Sequence, residues 1–289
     1  RENKDRPFFC YIPFHIVHAP LQGKDSDLET VDAKVTDQTK RTYAAMIRAL
    51  DNNVATILAE LDKLGLRENT IVIFSSDNGA TRDGSNLPFR GGKHSLYEGG
   101  THLPMLMSWP KGGLVGGKSW EGLCGTLDMF PTLMAMADLK MPETRPLDGK
   151  NLWPALREQG PSPVDSYYWS WHNEDAIRTS DWRMHRFADH NELYDVHQDI
   201  AETKDVAKEH PEIVKRGLRM KKLGNRIVSL VGGREIHPIN VRVGGFYRLP
   251  SRSELGELVS ELTWVRDASY ETITLAASLS FPARARHTP

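Results

Sequence analysis

Apolar residues fall into short unbroken runs early in the chain, then one helical stripe, then a late section of short alternating segments. Ile71, Val72, Ile73 and Phe74 form a compact, largely β-branched run, the pattern of a strand buried on both faces of a parallel sheet. Residues 103–109 read as another buried strand. Residues 7–14 read as a further one, with Pro7 and Pro13 near its boundaries. Between about 39 and 64, Ala44, Ile47, Leu50, Val54, Ile57, Leu58 and Leu61 recur at intervals of three and four, one face of an amphipathic helix. Gly65 is placed to cap that helix. Helix, turn and strand in this order predict a βαβ unit with the helix covering the sheet. Asp51 and Asn52 read as solvated or capping groups.

Further along, residues 127–137 predict a helix with Pro131 in its first turn. Met129, Met134 and Met136 read there as core filling, and Asp128 as a charge at the helix start. Four strand candidates follow at 167–171, 175–178, 182–187 and 192–195, a small antiparallel module. A helix is expected to begin at Asp199. The aromatic strip at 167–171 reads as core in preference to a carbohydrate platform. His172 and His190 fall in loops without a visible partner.

Composition narrows the class. At 289 residues, 39% hydrophobic and 26% charged, the chain is of globular type and can build real cores. A formal net charge of -1 offers no pull toward nucleic acid or an anionic membrane. No apolar run approaches the length of about 18 residues that spans a bilayer. Cys10 and Cys124 are too few for a disulfide framework and do not identify the compartment.

The candidate chemistry sits where the 71–74 run ends in Ser75-Ser76-Asp77-Asn78-Gly79. Ligands of open α/β sheets lie beyond the carboxyl ends of strands, and adjacent carboxylate and amide oxygens suit a hard cation. The same residues are also good turn chemistry. Arg90-Gly91-Gly92-Lys93 follows, where paired glycines permit close backbone approach and a lysine offers a point charge for an oxyanion. His18, in His15-Ile16-Val17-His18-Ala19-Pro20, stands just past a strand candidate, where it can donate to an oxyanion or protonate a leaving oxygen. The order Ser-Ser-Asp-Asn-Gly, Arg-Gly-Gly-Lys, Tyr97-Glu98-Gly99-Gly100 and Leu103-Pro104-Met105 resembles the second half of the catalytic domain of type I sulfatases, the arylsulfatase family.

The resemblance implies an α/β, alkaline-phosphatase-like sheet-and-helix domain, incomplete here, with a small α+β antiparallel C-terminal subdomain. It implies that Asp77 and Asn78 ligate calcium and that Lys93 and His18 contact the sulfate. A sulfated small molecule or glycan would be the substrate, and the compartment periplasmic, secreted or lysosomal. The expected partition is a partial catalytic domain over 1–160, a C-terminal subdomain over 161–219 and a tail over 220–289. The family's nucleophile is a formylglycine made from the first residue of a Cys/Ser-x-Pro-x-Arg segment, expected upstream together with any signal peptide. Cys10 precedes Tyr-Ile-Pro and Cys124 precedes Gly-Thr-Leu, so neither cysteine is that residue. The chain is therefore expected to carry half of a site and to be inactive alone. Other readings are a phosphoester or phosphonate hydrolase of the same superfamily, or a non-catalytic sulfate-binding module; oligomeric state is left open. The tail, with Gly232-Gly233-Arg234-Glu235-Ile236-His237-Pro238, resembles instead a segment of nickel-iron hydrogenase large subunits. It is expected to be a foreign, loosely packed appendage without hydrogenase function, since no cysteine follows Cys124.

Overall fold

Helix α1 spans Gln38–Lys63. The carboxylate of Asp37 accepts from the Lys40 N–H at 2.8 Å, satisfying one donor that a helix start leaves unpaired. The helix closes as the sequence predicted: Gly65 takes a left-handed φ of 68° and its N–H reaches the Asp62 carbonyl. Ala45 and Met46 are its buried residues, while Ile47, expected on the covered face, is 48% exposed. Asp51 and Asn52 are exposed, as expected. Replacing Asp37 with alanine should lower stability by about 1 kcal/mol, read as a shift in the denaturant midpoint. An unchanged midpoint would show the cap to be dispensable. The structure, a computed structural model, describes residues 3–142, 147–232, 241–242, 245–246 and 249–278.

A 3₁₀ turn at Arg67–Asn69 leads into β1, Val72–Ser75, which pairs with β2, Met105–Ser108. The pairing is antiparallel, Val72 opposite Ser108 and Ser75 opposite Met105. This corrects the expected parallel sheet. The chain between the strands folds back through the glycine-rich segments instead of crossing over by a long helix, and a chain that doubles back lies antiparallel. Burial on both faces is corrected too, because β1 is only half-buried and Leu106 is 66% exposed. Residues 7–14 form no strand: Phe9 is 85% and Tyr11 78% exposed. Their apolar run is that of a strand, but no described strand pairs with them.

Helix α2, Met129–Met136, follows a 3₁₀ turn at Thr126–Asp128, and α3 spans Trp153–Glu158. Met136 is buried, as core filling requires. Asp128 does more than face a helix dipole. It is 1% exposed and accepts from the N–H groups of Gly125 (2.9 Å) and Lys150 (2.8 Å) and from the Tyr167 hydroxyl. It thereby clamps the start of α2 to the next loop and to β3, Tyr167–Trp171. Burial, with Asp128 beside it, raises the pKa of Tyr167 and keeps the phenol as the donor.

β3 opens a four-stranded antiparallel sheet with β4 (Glu174–Arg178), β5 (Trp182–Arg186) and β6 (Asn191–Asp195), in that spatial order. The strands match the predicted set closely because short alternating segments between turns specify little else. Trp182, Met184, Leu193 and Val206 form a core on one face, with Ile177, Ile213, Val214 and Leu218 against it. Helix α4 runs over Pro211–Gly232 and does not begin at Asp199 as expected. The Asp199 carboxylate instead accepts from the backbone of Thr203 and Lys204, both at 2.8 Å, holding turns there. Pro211, with no N–H, suits the first helical position.

The border drawn at 220 lies inside α4, which continues unbroken to Gly232. Helix α5, Arg252–Ser278, contacts α4. Leu223 and Leu258 are each 3% exposed, and the Arg219 guanidinium lies 3.5 Å from the Trp264 ring centroid. Arg226 pairs with Glu261 at 2.6 Å, an exposed contact that contributes little. The segment 233–240 of the hydrogenase-like motif and the side chains of the apolar residues near 273–281 lie outside the described residues.

Candidate active site

The strand-end turn and the lysine loop are stitched together by backbone. Beyond β1, the Ser76 hydroxyl donates to the Asn78 carbonyl at 2.9 Å, and the Gly79 N–H donates to the Gly100 carbonyl at 3.2 Å. A Cβ at Gly79 would lie 1.8 Å from the Gly99 carbonyl oxygen, so only glycine fits. The Lys93 N–H donates to the Ala80 carbonyl at 3.1 Å. Asn86 reinforces that seam, accepting from Ala80 N–H at 2.8 Å and donating to the Ala80 and Gly91 carbonyls. Lys93 lines, with Thr81, Arg82, Asn86 and Leu87, an open concavity of about 500 Å³. The close approach that Gly92 permits is of backbone on backbone, since a Cβ there would lie 2.5 Å from the Ala80 carbonyl oxygen, while a Cβ at Gly91 would lie 2.5 Å from the Ser95 hydroxyl.

The far side of this loop is held by buried charge. Glu98 is 2% exposed; its Oε1 accepts from Arg183 at 2.6 Å and Arg178 at 2.9 Å, and its Oε2 lies 2.6 Å from His102 Nδ1. Arg183 also donates to the Leu96 carbonyl and, at 2.9 Å, to the Thr101 hydroxyl. Glu202, fully buried, accepts from the Glu98 N–H at 2.6 Å and sits 2.7 Å from His185 Nε2. Arg183 Nε lies 3.5 Å from the same carboxylate, a charge contact without hydrogen-bond geometry. Arg90, the first residue of Arg-Gly-Gly-Lys, donates to the Tyr194 hydroxyl at 2.8 Å and stacks 4.0 Å from the Tyr97 ring centroid. Burial opposes ionisation of Glu98, but His102, Arg183 and Arg178 outweigh it and carry its pKa down to about 2. Burial likewise works against the charge of Arg183, with the two glutamates resisting it.

Arg90 and Glu98 stood in the quoted motifs without a role, and Arg178, Arg183, His185 and Glu202 were not assigned one from sequence. In β5, Trp182 and Met184 face the core while Arg183 and His185 alternate to the other side, and all four are buried. A basic residue at both β5 positions that alternate away from Trp182 and Met184 was the available signal. The acids that answer them are remote in sequence, so the pairing itself was not visible.

Of the predicted site residues, the Lys93 backbone bonds to Ala80, two residues past Asn78, and Gly79 bonds to Gly100. Asp77 is exposed and Asn78 half-buried. Among the described residues, no hydrogen bond occupies either side chain. Two hard oxygen donors fit part of a calcium shell, which takes about six to eight oxygens. Among the described residues no cluster of three or more His, Cys, Asp or Glu completes one. His18 is exposed; its Nδ1 lies 2.8 Å from the Ala19 carbonyl and its ring 5.3 Å from that of His15. These contacts are local and do not join it to Lys93. Cys10 is exposed and Cys124 half-buried, its thiol pushed up by burial and by Asp128. Ser280-Phe281-Pro282-Ala283-Arg284 has the Ser-x-Pro-x-Arg spacing that was expected only upstream; it lies outside the described residues.

Residues 1–139 match the Sulfatase family model, and residues 91–226 match that of the N-sulphoglucosamine sulphohydrolase C-terminal region. The chain belongs to the sulfatase family. This sulfatase chain is 36% identical over 197 residues to the uncharacterized sulfatase YdeN of Escherichia coli, covering 64% of itself and 34% of the relative. A sulfatase of Formosa agariphila is 31% identical over 247 residues, 73% of this chain and 44% of that protein. Mouse N-acetylgalactosamine-6-sulfatase is 31% identical over 188 residues, 63% of this chain and 35% of the enzyme. The chain thus spans less than half the length of these curated relatives. The crystal structure of Ps i-CgsB in complex with k-i-k-neocarrahexaose superposes with a TM-score of 0.73 at 28% identity, over 93% of this chain and 57% of that one. That share takes in part of the chain beyond residue 220. The architecture is alkaline-phosphatase-like with a small antiparallel C-terminal sheet.

Proposed function

We propose that this chain supplies part of the sulfate-binding site of a sulfuric ester hydrolase acting on sulfated glycans. The observation that supports the reading is the backbone seam joining Lys93 to Ala80, two residues past Asn78, with Lys93 and Ala80 both lining one open concavity. Lys93 neutralises a sulfate oxygen, and His18, whose contacts are local, is assigned to the leaving oxygen by the family resemblance alone. Asp77 and Asn78 would supply two oxygens to calcium, whose charge, when bound, stabilises that of the sulfate. The glycan class is supported by the neocarrahexaose complex and the N-acetylgalactosamine-6-sulfatases among the relatives. By itself the chain is proposed to bind and not to turn over, since neither Cys10 nor Cys124 stands in a Cys-x-Pro-x-Arg segment and the Ser-x-Pro-x-Arg segment at Ser280 lies outside the described residues.

Titration calorimetry with sodium sulfate in the presence of calcium tests this directly. Lys93→Ala should weaken sulfate binding by about tenfold or more, the loss of one charge-assisted contact of at least about 1.4 kcal/mol. Equal affinity in wild type and variant would remove Lys93 from the site.

A further inference from the structure

The residue after Lys93 is held in an uncommon conformation. His94 takes a φ of 70°, in the left-handed region that residues other than glycine mostly avoid. Backbone held there against its preference gathers at sites that contact ligands. In this pose the exposed His94 ring stacks on Trp171, with centroids 6.1 Å apart and planes inclined by 30°. Trp171 is the last residue of β3 and remains 46% exposed. His172, also left-handed at a φ of 52°, sets its ring edge-on to the same indole, 4.8 Å away.

The strand itself shows what a covered aromatic looks like at this position. Trp169 shares a face with Trp171 by strand alternation, and it is half-buried with the Arg183 guanidinium 5.0 Å from its ring centroid. Trp171 continues that face past the end of the cover, into solvent and against His94. The reading of residues 167–171 as core therefore holds for Trp169 and fails for Trp171.

We propose that Trp171, His94 and His172 form a stacking platform for a pyranose ring of a sulfated oligosaccharide. The proposal rests on the sulfate-binding reading of Lys93. A half-exposed indole offers a flat apolar surface for the C–H face of a sugar, and the flanking imidazoles add hydrogen-bonding groups for its hydroxyls. Lys93 and His94 are neighbours in the chain, so the loop that carries the proposed sulfate ligand also carries one edge of the platform. A sulfated sugar, flat-faced on one side and anionic at a substituent, suits an aromatic platform carried next to the Lys93 loop.

Binding of a sulfated neocarrahexaose, its desulfated counterpart and sodium sulfate is measured on the full chain by calorimetry, with the Trp171 indole N–H followed by NMR. Trp171→Ala and His94→Gly, the latter matched to the left-handed backbone, should weaken oligosaccharide binding about tenfold. Both should leave sodium sulfate binding unchanged. Trp171→Phe should restore most of the affinity. Oligosaccharide affinity unchanged in Trp171→Ala, or no binding by the wild-type chain at millimolar concentration, overturns the platform. Binding lost in Trp171→Ala but retained in Lys93→Ala supports the platform and overturns the sulfate role of Lys93, so the two failures are distinguishable.

Discussion

Replacing Arg183 with methionine is expected to destabilise the fold by about 3–5 kcal/mol, the loss typical of removing one partner from a buried ion network. Arg183 is 1% exposed and touches two buried carboxylates, Glu98 and Glu202. Methionine fills similar space but leaves Glu98 with Arg178 and His102 alone, and Glu202 with His185 and a backbone N–H. It also strips a donor from the Leu96 carbonyl and the Thr101 hydroxyl. Urea unfolding followed by circular dichroism reads the difference. A loss below about 1 kcal/mol would place the network with the surface pairs that contribute little.

The second large effect is a loss of stability in acid. Glu98 in the folded chain has a pKa of about 2, against 4.5 for an unperturbed glutamate. A depressed carboxylate stabilises the fold fully above its unfolded pKa, and the contribution falls away as pH drops through the window to the folded value. Between pH 4.5 and 2 this amounts to roughly 3 kcal/mol, at about 1.4 kcal/mol for each pH unit separating the folded and unfolded values. Glu192 is lowered in the same way, burial opposing its ionisation and Tyr97, Tyr194 and His190 favouring it. A Glu98→Gln chain should be less stable at neutral pH and should show a flatter profile through the acid window. If the variant and wild type lose stability in parallel, the acid response lies in other groups.

Local rules carried the sequence reading as far as local rules reach. Helix α1 was legible because its stripe, the Asp37 cap and Gly65 agree with one another, and β3 to β6 because turns separate short alternating segments. Residues 7–14 and β1 were misread for a shared reason. An apolar run reports that a segment could lie in a sheet, while the direction and presence of its partner depend on chain far away. The start of α4 was missed because a side chain, that of Asp199, competes for the backbone donors. The Asp77 turn and the Lys93 loop were visible as residues, but the Asn86 and Gly79 contacts that join them were not. The network around Glu98 was beyond reach, since Arg183 looks like any strand cation until Glu98 and Glu202 are folded against it.

The clamp between the lysine loop and the four-stranded sheet has a consequence for exchange between relatives. Its acids and bases are split between residues 90–102 and 178–202, two stretches with different neighbours in the chain. A recombinant that drew the first stretch from one parent and the second from another would inherit buried charges whose counterparts had stayed behind. Crossovers between these stretches should therefore yield soluble hybrids only when Glu98, Arg178, Arg183, His185 and Glu202 travel as a set, whatever happens to the exposed loops between them.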